Sequence, residues 1–219
     1  MDYSTRRTLI ERVADFVGLN SRFHKYQENE IDWDDSVFVS PVEARLVYIG
    51  EIKRGGRLVS KLGRKVDLAG VVDESDLFSD GFYMNFYLSP VDKHYWRIPY
   101  DSEVVSTKVN NGVARIPVIT GLERIFPRAN FFEKSIKKNA TIGTVFRARD
   151  FSYAMIAVGS LNVNSIHTIK KDCFKKGDIG GYFNFGSSML LCFSKSMGNE
   201  FLVDVGDKVD VGEEILRLP

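Results

Sequence analysis

The residues with the clearest chemical potential form the run Phe185-Gly186-Ser187-Ser188. A serine hydroxyl beside a glycine can attack the preceding peptide carbonyl, which gives an ester by an N-to-O acyl shift. Elimination across that ester would break the chain between Gly186 and Ser187, and hydrolysis of the resulting dehydroalanine would release ammonia and leave a pyruvoyl group at position 187. Glycine assists because it has no side chain to block the attack and tolerates a strained turn. A pyruvoyl carbonyl can form a Schiff base with a substrate amine and accept electrons during decarboxylation.

Alone, this run carries little specificity, because most Gly-Ser-Ser triplets in proteins form ordinary turns. Ser187 therefore also has a structural interpretation as part of an uncut turn. The other reactive side chains give no stronger pattern. His24 and His167 lack the spacing of metal ligands, so we expect no metal site. Cys173 and Cys192 have apolar neighbours, which predicts two buried free thiols.

Short β-strands must position these residues. Runs rich in Val, Ile, Phe and Tyr alternate with Gly, Pro, Asp and Asn, and they have the length and composition of strands. These runs are residues 45–52, 82–88, 113–119, 141–149 and 153–159. We therefore predict a mainly β (α+β) fold in which residues 36–219 form a single β-rich domain.

The C-terminal segment has the turn-and-strand pattern of biotinyl and lipoyl hammerhead domains. The pattern consists of Val205-Gly206-Asp207 followed by Gly212-Glu213. Hammerhead domains carry a modified lysine in a tight turn, and no lysine here has that setting. We predict a structural, hammerhead-like segment with two glycine-centred turns that join short strands.

Residues 1–35 precede this domain as a helix and an acidic linker. Apolar residues recur at helical spacing over residues 5–17, which predicts an amphipathic helix capped by Ser4 or Thr5. Such a helix either docks on its own domain, which we favour, or lies on a membrane surface with its arginines beside the apolar stripe. Residues 28–35 are rich in Asp and Glu, which is typical of a solvated linker.

Residues 53–65 carry basic side chains and no acidic one. The basic side chains are Lys53, Arg54, Arg57, Lys61, Arg64 and Lys65. They form either an exposed charged loop or a surface that anionic lipid headgroups attract, at about 1 kcal/mol for each basic residue near the membrane. The second interpretation makes a phospholipid or a membrane surface a partner of the protein.

The overall amino-acid composition restricts the other possible partners and the cellular location of the protein. The formal net charge is +1, so nothing favours nucleic acid as a partner. No apolar run approaches the roughly 18 residues of a membrane span, and the N-terminus lacks the apolar core of a signal peptide. We therefore expect a cytoplasmic protein that can lie peripherally at the inner membrane face, and a homodimer is compatible with the sequence.

Five segments, taken in order, resemble the phosphatidylserine decarboxylase family. Residues 175–193 (KKGDIGGYFNFGSSMLLCF) resemble its KG-(E/D) run, which leads to FGS-(S/T) and an apolar strand. Residues 39–50 (VSPVEARLVYIG), 61–72 (KLGRKVDLAGVV), 85–99 (NFYLSPVDKHYWRIP) and 154–166 (AMIAVGSLNVNSI) resemble other segments of the family's pattern. The resemblance implies the family's β-rich fold and its pyruvoyl-dependent decarboxylation of phosphatidylserine.

The resemblance also implies roles for individual positions. Ser187 matches the self-cleaving serine, Gly186 precedes the cut, and His94 matches a histidine tied to decarboxylation. The family cleaves itself with an Asp-His-Ser arrangement, in which the acid orients the base that activates the serine. Glu43 stands at the position of that aspartate, and Arg97 stands at the position of the base histidine.

The residues at these last two positions depart from the family pattern. Glu43 can replace an aspartate only if the backbone retreats by about one methylene, since positioning errors near 1 Å can cost about a hundredfold in rate. An arginine keeps its proton at neutral pH, so Arg97 cannot act as a general base. We expect the two side chains to form a salt bridge where the proton relay would be.

Three functions are compatible with the sequence. An active enzyme would cut itself at Gly186–Ser187 and decarboxylate phosphatidylserine or a related headgroup, with the pyruvoyl group from Ser187 as its cofactor. A member without self-processing would stay one chain, need no cofactor, and act as a lipid-binding, regulatory or scaffold protein. The third function is a pyruvoyl-type decarboxylase of another amine. The residues at Glu43 and Arg97 favour loss of self-cleavage.

Overall fold

Antiparallel strands are the main secondary structure of the described chain, with 47% of the residues in strands and 11% in helices, so the predicted mainly β fold is confirmed. The computed structural model describes residues 2–6, 12, 31–89, 91–112, 116–118, 131–160, 165–184, 187–198 and 200–218. Within these ranges the strands are β1 Tyr3–Ser4, β2 Val37–Val39, β3 Ala44–Lys53, β4 Arg57–Val59, β5 Lys65–Asp67, β6 Phe82–Tyr87, β7 Tyr95–Arg97, β8 Ser102–Asn110, β9 Thr141–Ala148, β10 Phe151–Val158, β11 Ile166–Thr168, β12 Cys173–Phe174, β13 Ile179–Phe183, β14 Ser188–Phe193, β15 Glu200–Phe201, β16 Lys208–Val209 and β17 Glu214–Arg217. In the same ranges, helix α1 spans Phe131–Lys138, and 3-10 helices span Leu68–Gly70, Ser75–Phe78 and Lys195–Met197.

The largest sheet has the strand order β12-β8-β9-β10-β14-β6-β3-β4-β5, and β16 pairs with β3. Its middle strands β10 and β14 are almost wholly apolar, because both of their faces are covered. Met189, Leu191 and Phe193 face a first core, and Leu190 and Cys192 face a second core. This alternation follows from the two-residue period of a strand. The large sheet is therefore the central layer of the molecule.

Two smaller sheets cover the first core, one with the order β1-β11-β13-β7 and the other with the order β15-β17-β2. They contribute large apolar side chains, among them Phe38, Trp96, Phe183 and Leu216. The second core lies on the opposite face of the large sheet, under α1 and the β4–β5 hairpin. Chain segments that connect the large sheet to a smaller sheet therefore pass through the buried region between the two sheets.

The predicted strands agree with the structure except at residues 113–119. Residues 116–118 form no strand, and the rest of that run lies outside the described residues. The side chain of Asn139 takes the place of a neighbouring strand, since its Oδ1 accepts from Ile116 N–H (2.8 Å) and its Nδ2 donates to Ile116 O (2.7 Å). Pro117 also lacks the N–H that a strand ladder needs.

The predicted helix over residues 5–17 is wrong at its first two positions. Residues Tyr3–Ser4 form β1 and pair with β11, and the N–H of Thr5 continues this pairing by donating to Ile166 O (3.1 Å). Arg12 is helical, and the remainder of the predicted helix lies outside the described residues. The division into residues 1–35 and 36–219 stays a prediction.

The two predicted glycine-centred turns near the C-terminus are confirmed. Gly206 has a φ of +114° before β16, and Gly212 has a φ of +91° before β17. A φ in this range is strained for residues with a Cβ, so glycine suits both turns. The first turn leads into the pairing of β16 with β3, which brings Lys208 towards Glu43.

Candidate functional site

Two neighbouring connections carry the chain between the large sheet and the four-stranded sheet. The link from β6 to β7 ends at His94, and the link from β13 to β14 ends at Ser187. The two links lie side by side, because β6 pairs with β14 and β7 pairs with β13. Leu88 N–H donates to Ser187 O (2.9 Å) at one end of this crossing, and Phe183 N–H donates to His94 O (2.9 Å) at the other. The fold therefore places Ser187 and His94 in adjacent segments.

Ser187 is fully buried at this crossing, as is His94. The Ser187 Oγ has no hydrogen-bond partner among the residues that the structure describes. Gly186, which the sequence places before the potential cut, lies outside the described residues. Because bulk water does not reach Ser187, an attack by its Oγ needs a base that the protein supplies.

Glu43 approaches the same crossing from the connection between β2 and β3. Its Oε2 accepts a hydrogen bond from the backbone N–H of Lys93 (3.3 Å), the residue before His94. The Lys93 ammonium lies 3.8 Å from the same oxygen. A backbone bond from Arg97 N–H to Pro41 O (2.9 Å) holds the two segments together. Glu43 therefore lies beside the segment that carries His94.

Arg97 does not form the expected salt bridge with Glu43. Its guanidinium donates to the carbonyl oxygen of Gly177 (2.6 Å). The Glu43 carboxylate instead takes its ion pairs from Lys93 and Lys208. The two side chains extend in different directions. Arg97, on β7, extends towards the turn before β13, whereas Glu43 faces the strand that carries Lys208.

Lys208 is a site residue that sequence reasoning missed. Its Nζ lies 2.8 Å from Glu43 Oε1 and 3.1 Å from Asp92 Oδ1. Asp92 is itself buried, and its Oδ2 accepts from the backbone N–H of Ser89 (2.7 Å). Asp92 belongs to the SP-x-D-K-H stretch that carries His94, which was an available signal. Lys208 gave no such signal, because it is distant in sequence.

The cluster of Glu43, Asp92 and Lys208 is held together by charge. Hydrogen bonds to Glu43 and then to Asp92 raise the pKa of the Lys208 ammonium above its ordinary value. Lys208 therefore stays protonated at neutral pH and compensates the two carboxylates. A carboxylate that compensates a lysine is poorly placed to orient a separate base, which is the role of the acid in an Asp-His-Ser arrangement.

A cavity of about 730 Å³ lies on the second-core face of the large sheet, beside Ser188. Leu190, Tyr83 and Asn85 line it from the sheet together with Ser188, and α1 supplies another wall that includes Ile136. Ligand pockets commonly fall between about 300 and 1,000 Å³ and are lined mostly by apolar side chains with a few polar groups. This cavity has both properties, and it adjoins Ser188, the residue after the potentially self-cleaving Ser187.

The exposed residues of the lining mark the mouth of the cavity. They are Gly206, the basic residues Arg45 and Lys61, and the apolar residues Leu62 and Val205, which are 44% and 53% exposed. An exposed leucine and valine beside two cations suit a ligand that has an apolar and an anionic part.

The predicted basic segment lies next to this mouth. Two of its side chains have acidic partners, since Lys53 pairs with Glu51 and Arg54 lies 3.8 Å from Asp80. The other four are exposed and form no ion pair with a described residue: Arg57, Lys61, Arg64 and Lys65. These four side chains, which we call the basic face, keep their charge available to an external anion.

Metal-ligand clusters and membrane-spanning helices are both absent from the described part of the chain. No three His, Cys, Asp or Glu side chains there converge as metal ligands would. No helix there is long and apolar enough to cross a bilayer.

Comparisons with known proteins agree with the resemblance seen in the sequence. The sequence model of the phosphatidylserine decarboxylase family matches residues 16–217. The phosphatidylserine decarboxylase proenzymes of Bacillus thuringiensis (strain Al Hakam) and Bacillus cereus (strain 03BB102) are each 30% identical to this chain over 203 residues. Those alignments cover 90% of this chain and 72% of each relative. The chain described here therefore belongs to the phosphatidylserine decarboxylase family.

Proposed function

We propose that this protein binds phospholipid at a membrane surface and remains a single, uncut chain. The observation that carries the proposal is the pairing of Glu43 with Lys208 at the position where the family pattern has a proton relay. A buried serine gives up its proton only to a well-placed base. Arg97 occupies the base position, and a guanidinium keeps its proton at neutral pH.

Generation of a pyruvoyl group from Ser187 does not fit these residues, so no step of the proposed function passes through that group. Arg97 is bonded to Gly177 O, and Glu43 compensates Lys208. The arrangement therefore supports a chain that stays uncut. The chain keeps the sequence segments of the family, but it has Glu43 and Arg97 where the family has the aspartate and the histidine of its proton relay.

The cavity and its mouth support phospholipid as the ligand. The cavity of about 730 Å³ has an apolar lining, and Arg45 and Lys61 stand at its mouth. The other side chains of the basic face, Arg57, Arg64 and Lys65, add positive charge on the segment that carries Lys61. Positive charge near a membrane attracts anionic headgroups at about 1 kcal/mol for each basic residue.

A self-processing decarboxylase is the second candidate function, and one observation favours it. His94 ends the segment that lies beside Ser187, and histidine is a side chain that can act as a base near neutral pH. In this alternative His94 would take the serine's proton in place of the absent base histidine. The chain would then divide between Gly186 and Ser187.

Vesicle flotation combined with a check of chain length tests the proposal. The purified protein is mixed with phosphatidylcholine vesicles, with and without phosphatidylglycerol, and the floating fraction is analysed by denaturing electrophoresis. We expect the full-length chain to float with the anionic vesicles and to stay behind with the neutral ones. Absence from both floating fractions would contradict phospholipid binding, and a cleaved chain in either fraction would favour the second candidate.

A further inference from the structure

Asn85 places an amide among the apolar side chains of the cavity. It belongs to β6, is 5% exposed, and lines the cavity from the sheet. Its Oδ1 is buried, and no residue that the structure describes donates a hydrogen bond to it. Buried polar atoms are almost always hydrogen-bonded, because an unsatisfied one is costly. Such an oxygen is therefore suited to a donor that arrives from outside the chain.

The register of the sheet explains why no neighbouring side chain supplies that donor. Asn85 lies opposite Leu190 of β14 on one side and Tyr48 of β3 on the other. Leu190 has no polar side-chain atom, and the Tyr48 ring packs against Tyr83 with 5.8 Å between centroids. Ser188 is the next residue of β14 on the same face, and it leaves the Asn85 oxygen unsatisfied.

We infer that Asn85 binds an N–H or O–H donor on the headgroup of a phospholipid that enters the cavity head first. The inference rests on the phospholipid binding proposed above. Arg45 and Lys61 at the mouth meet the phosphate, because basic side chains form charge-assisted hydrogen bonds with phosphate oxygens. Leu62 and Val205 beside them meet the acyl chains. Asn85 is thus a specificity-determining residue that distinguishes headgroups with a donor from those without one.

Short-chain phospholipids, kept below the concentration at which they form micelles, separate cavity binding from attraction to a charged surface. Dihexanoyl phosphatidylserine, phosphatidylglycerol and phosphatidylmethanol carry the same net charge. The first has an ammonium donor, the second has hydroxyl donors, and the third has none. In calorimetric titrations we expect the wild-type chain to bind the first two about tenfold more tightly than the third, the effect of one hydrogen bond to a buried group.

Two variants test the assignment to Asn85. The Asn85→Leu change keeps the size of the side chain and removes the amide, so we expect similar affinities for all three lipids and unchanged affinity for phosphatidylmethanol. Asn85→Ala provides the same comparison if the leucine variant does not fold. Ser106→Ala is the matched control, because Ser106 Oγ is also buried without a described partner but does not line the cavity. The control should keep the tenfold preference.

The possible results separate this inference from the proposed function. A donor preference that survives in Asn85→Leu would overturn the inference, and so would equal wild-type affinity for the three lipids. If the wild-type chain floats with anionic vesicles but binds none of the short-chain lipids, the inference fails while the proposed function stands. If it neither floats nor binds them, both fail.

Discussion

The ammonium of Lys208 lies 2.8 Å from the carboxylate of Glu43, although 165 residues separate the two in the chain. Asp92 is the second carboxylate on the same ammonium, at 3.1 Å. Arg97, which stands where the family pattern has its base, is bonded to the Gly177 carbonyl instead. The Lys208 ammonium and the two carboxylates therefore compensate one another, and none of these contacts involves the Ser187 Oγ.

Removal of the Lys208 cation should destabilise the fold. In Lys208→Met, the carboxylates of Glu43 and Asp92 would remain close together without their shared cation. Losing one partner of a largely buried pair is costly, but the half-exposed position of Lys208 reduces the effect. We expect the free energy of unfolding at pH 7 to fall by about 1 kcal/mol in urea titrations.

The matched control for this change is Lys137→Met, which removes an exposed pair with Glu133 within α1 (2.7 Å). Exposed pairs of this kind contribute little to stability. We expect the control to unfold at nearly the wild-type urea concentration. Equal destabilisation by both changes would show that the Lys208 cluster has no special structural role.

The stability of the protein should fall in acid, and part of that fall should come from Asp34. The Asp34 Oδ1 accepts a hydrogen bond from Ser36 N–H (2.8 Å), which lowers the pKa of this carboxyl below its ordinary value. A carboxyl whose folded pKa is lowered stabilises the fold above the ordinary pKa of about 3.9, and the contribution is lost as pH falls through the folded value.

Asp34→Asn tests this pH dependence, because its amide oxygen can accept the same hydrogen bond without titrating. We expect the free energy of unfolding to decrease between about pH 5 and pH 3 in both proteins, and to decrease less in the variant. Urea titrations at each pH provide the comparison. The same decrease in both proteins would show that Asp34 makes no contribution.

The two thiols should react at very different rates in the folded protein. Cys173 is exposed in β12, at the edge of the large sheet, so the predicted burial of both cysteines is wrong for this one. Cys192 is fully buried in β14, and burial raises the pKa of its thiol. Because the thiolate is the reactive form, we expect a disulfide reagent to modify Cys173 readily and Cys192 only after unfolding. Rapid reaction of both thiols in the native protein would contradict the burial of β14.

The basic face should contribute to membrane binding residue by residue. We expect Arg57→Ala and Arg64→Ala each to weaken partition onto anionic vesicles by about fivefold, which corresponds to about 1 kcal/mol per basic residue. Lys195→Ala is the control, since Lys195 is also exposed but lies on a 3-10 helix outside this face. High salt should remove the difference, because it screens surface charge. An equal loss of binding in all three variants would point to net charge and not to this face.

Structural features that depend on a local sequence pattern were predictable from the sequence. The buried strands β10 and β14 contain the uninterrupted apolar runs 154–158 and 189–193, and the glycines at positions 206 and 212 marked their turns. The resemblance to the family also pointed to Ser187, His94 and Glu43, which the fold brings around one crossing of the chain.

Features that depend on sheet register and on distant pairing were not predictable. The direction of Arg97 towards Gly177 depends on how β7 pairs with β13, where the register shifts by a bulge. The contact between Lys208 and Glu43 depends on the pairing of β16 with β3, two strands that are far apart in the sequence. A local pattern carries neither kind of information, because a shift of one residue would turn each side chain to the other face.

The intact mass of the purified, full-length protein tests the central claim most directly. We expect a single species at 24.8 kDa, unchanged after prolonged incubation with and without anionic vesicles. Its mass should correspond to the complete chain, with an unmodified serine at position 187. Two chains that separate between Gly186 and Ser187, with a pyruvoyl group at the start of the second, would contradict the claim.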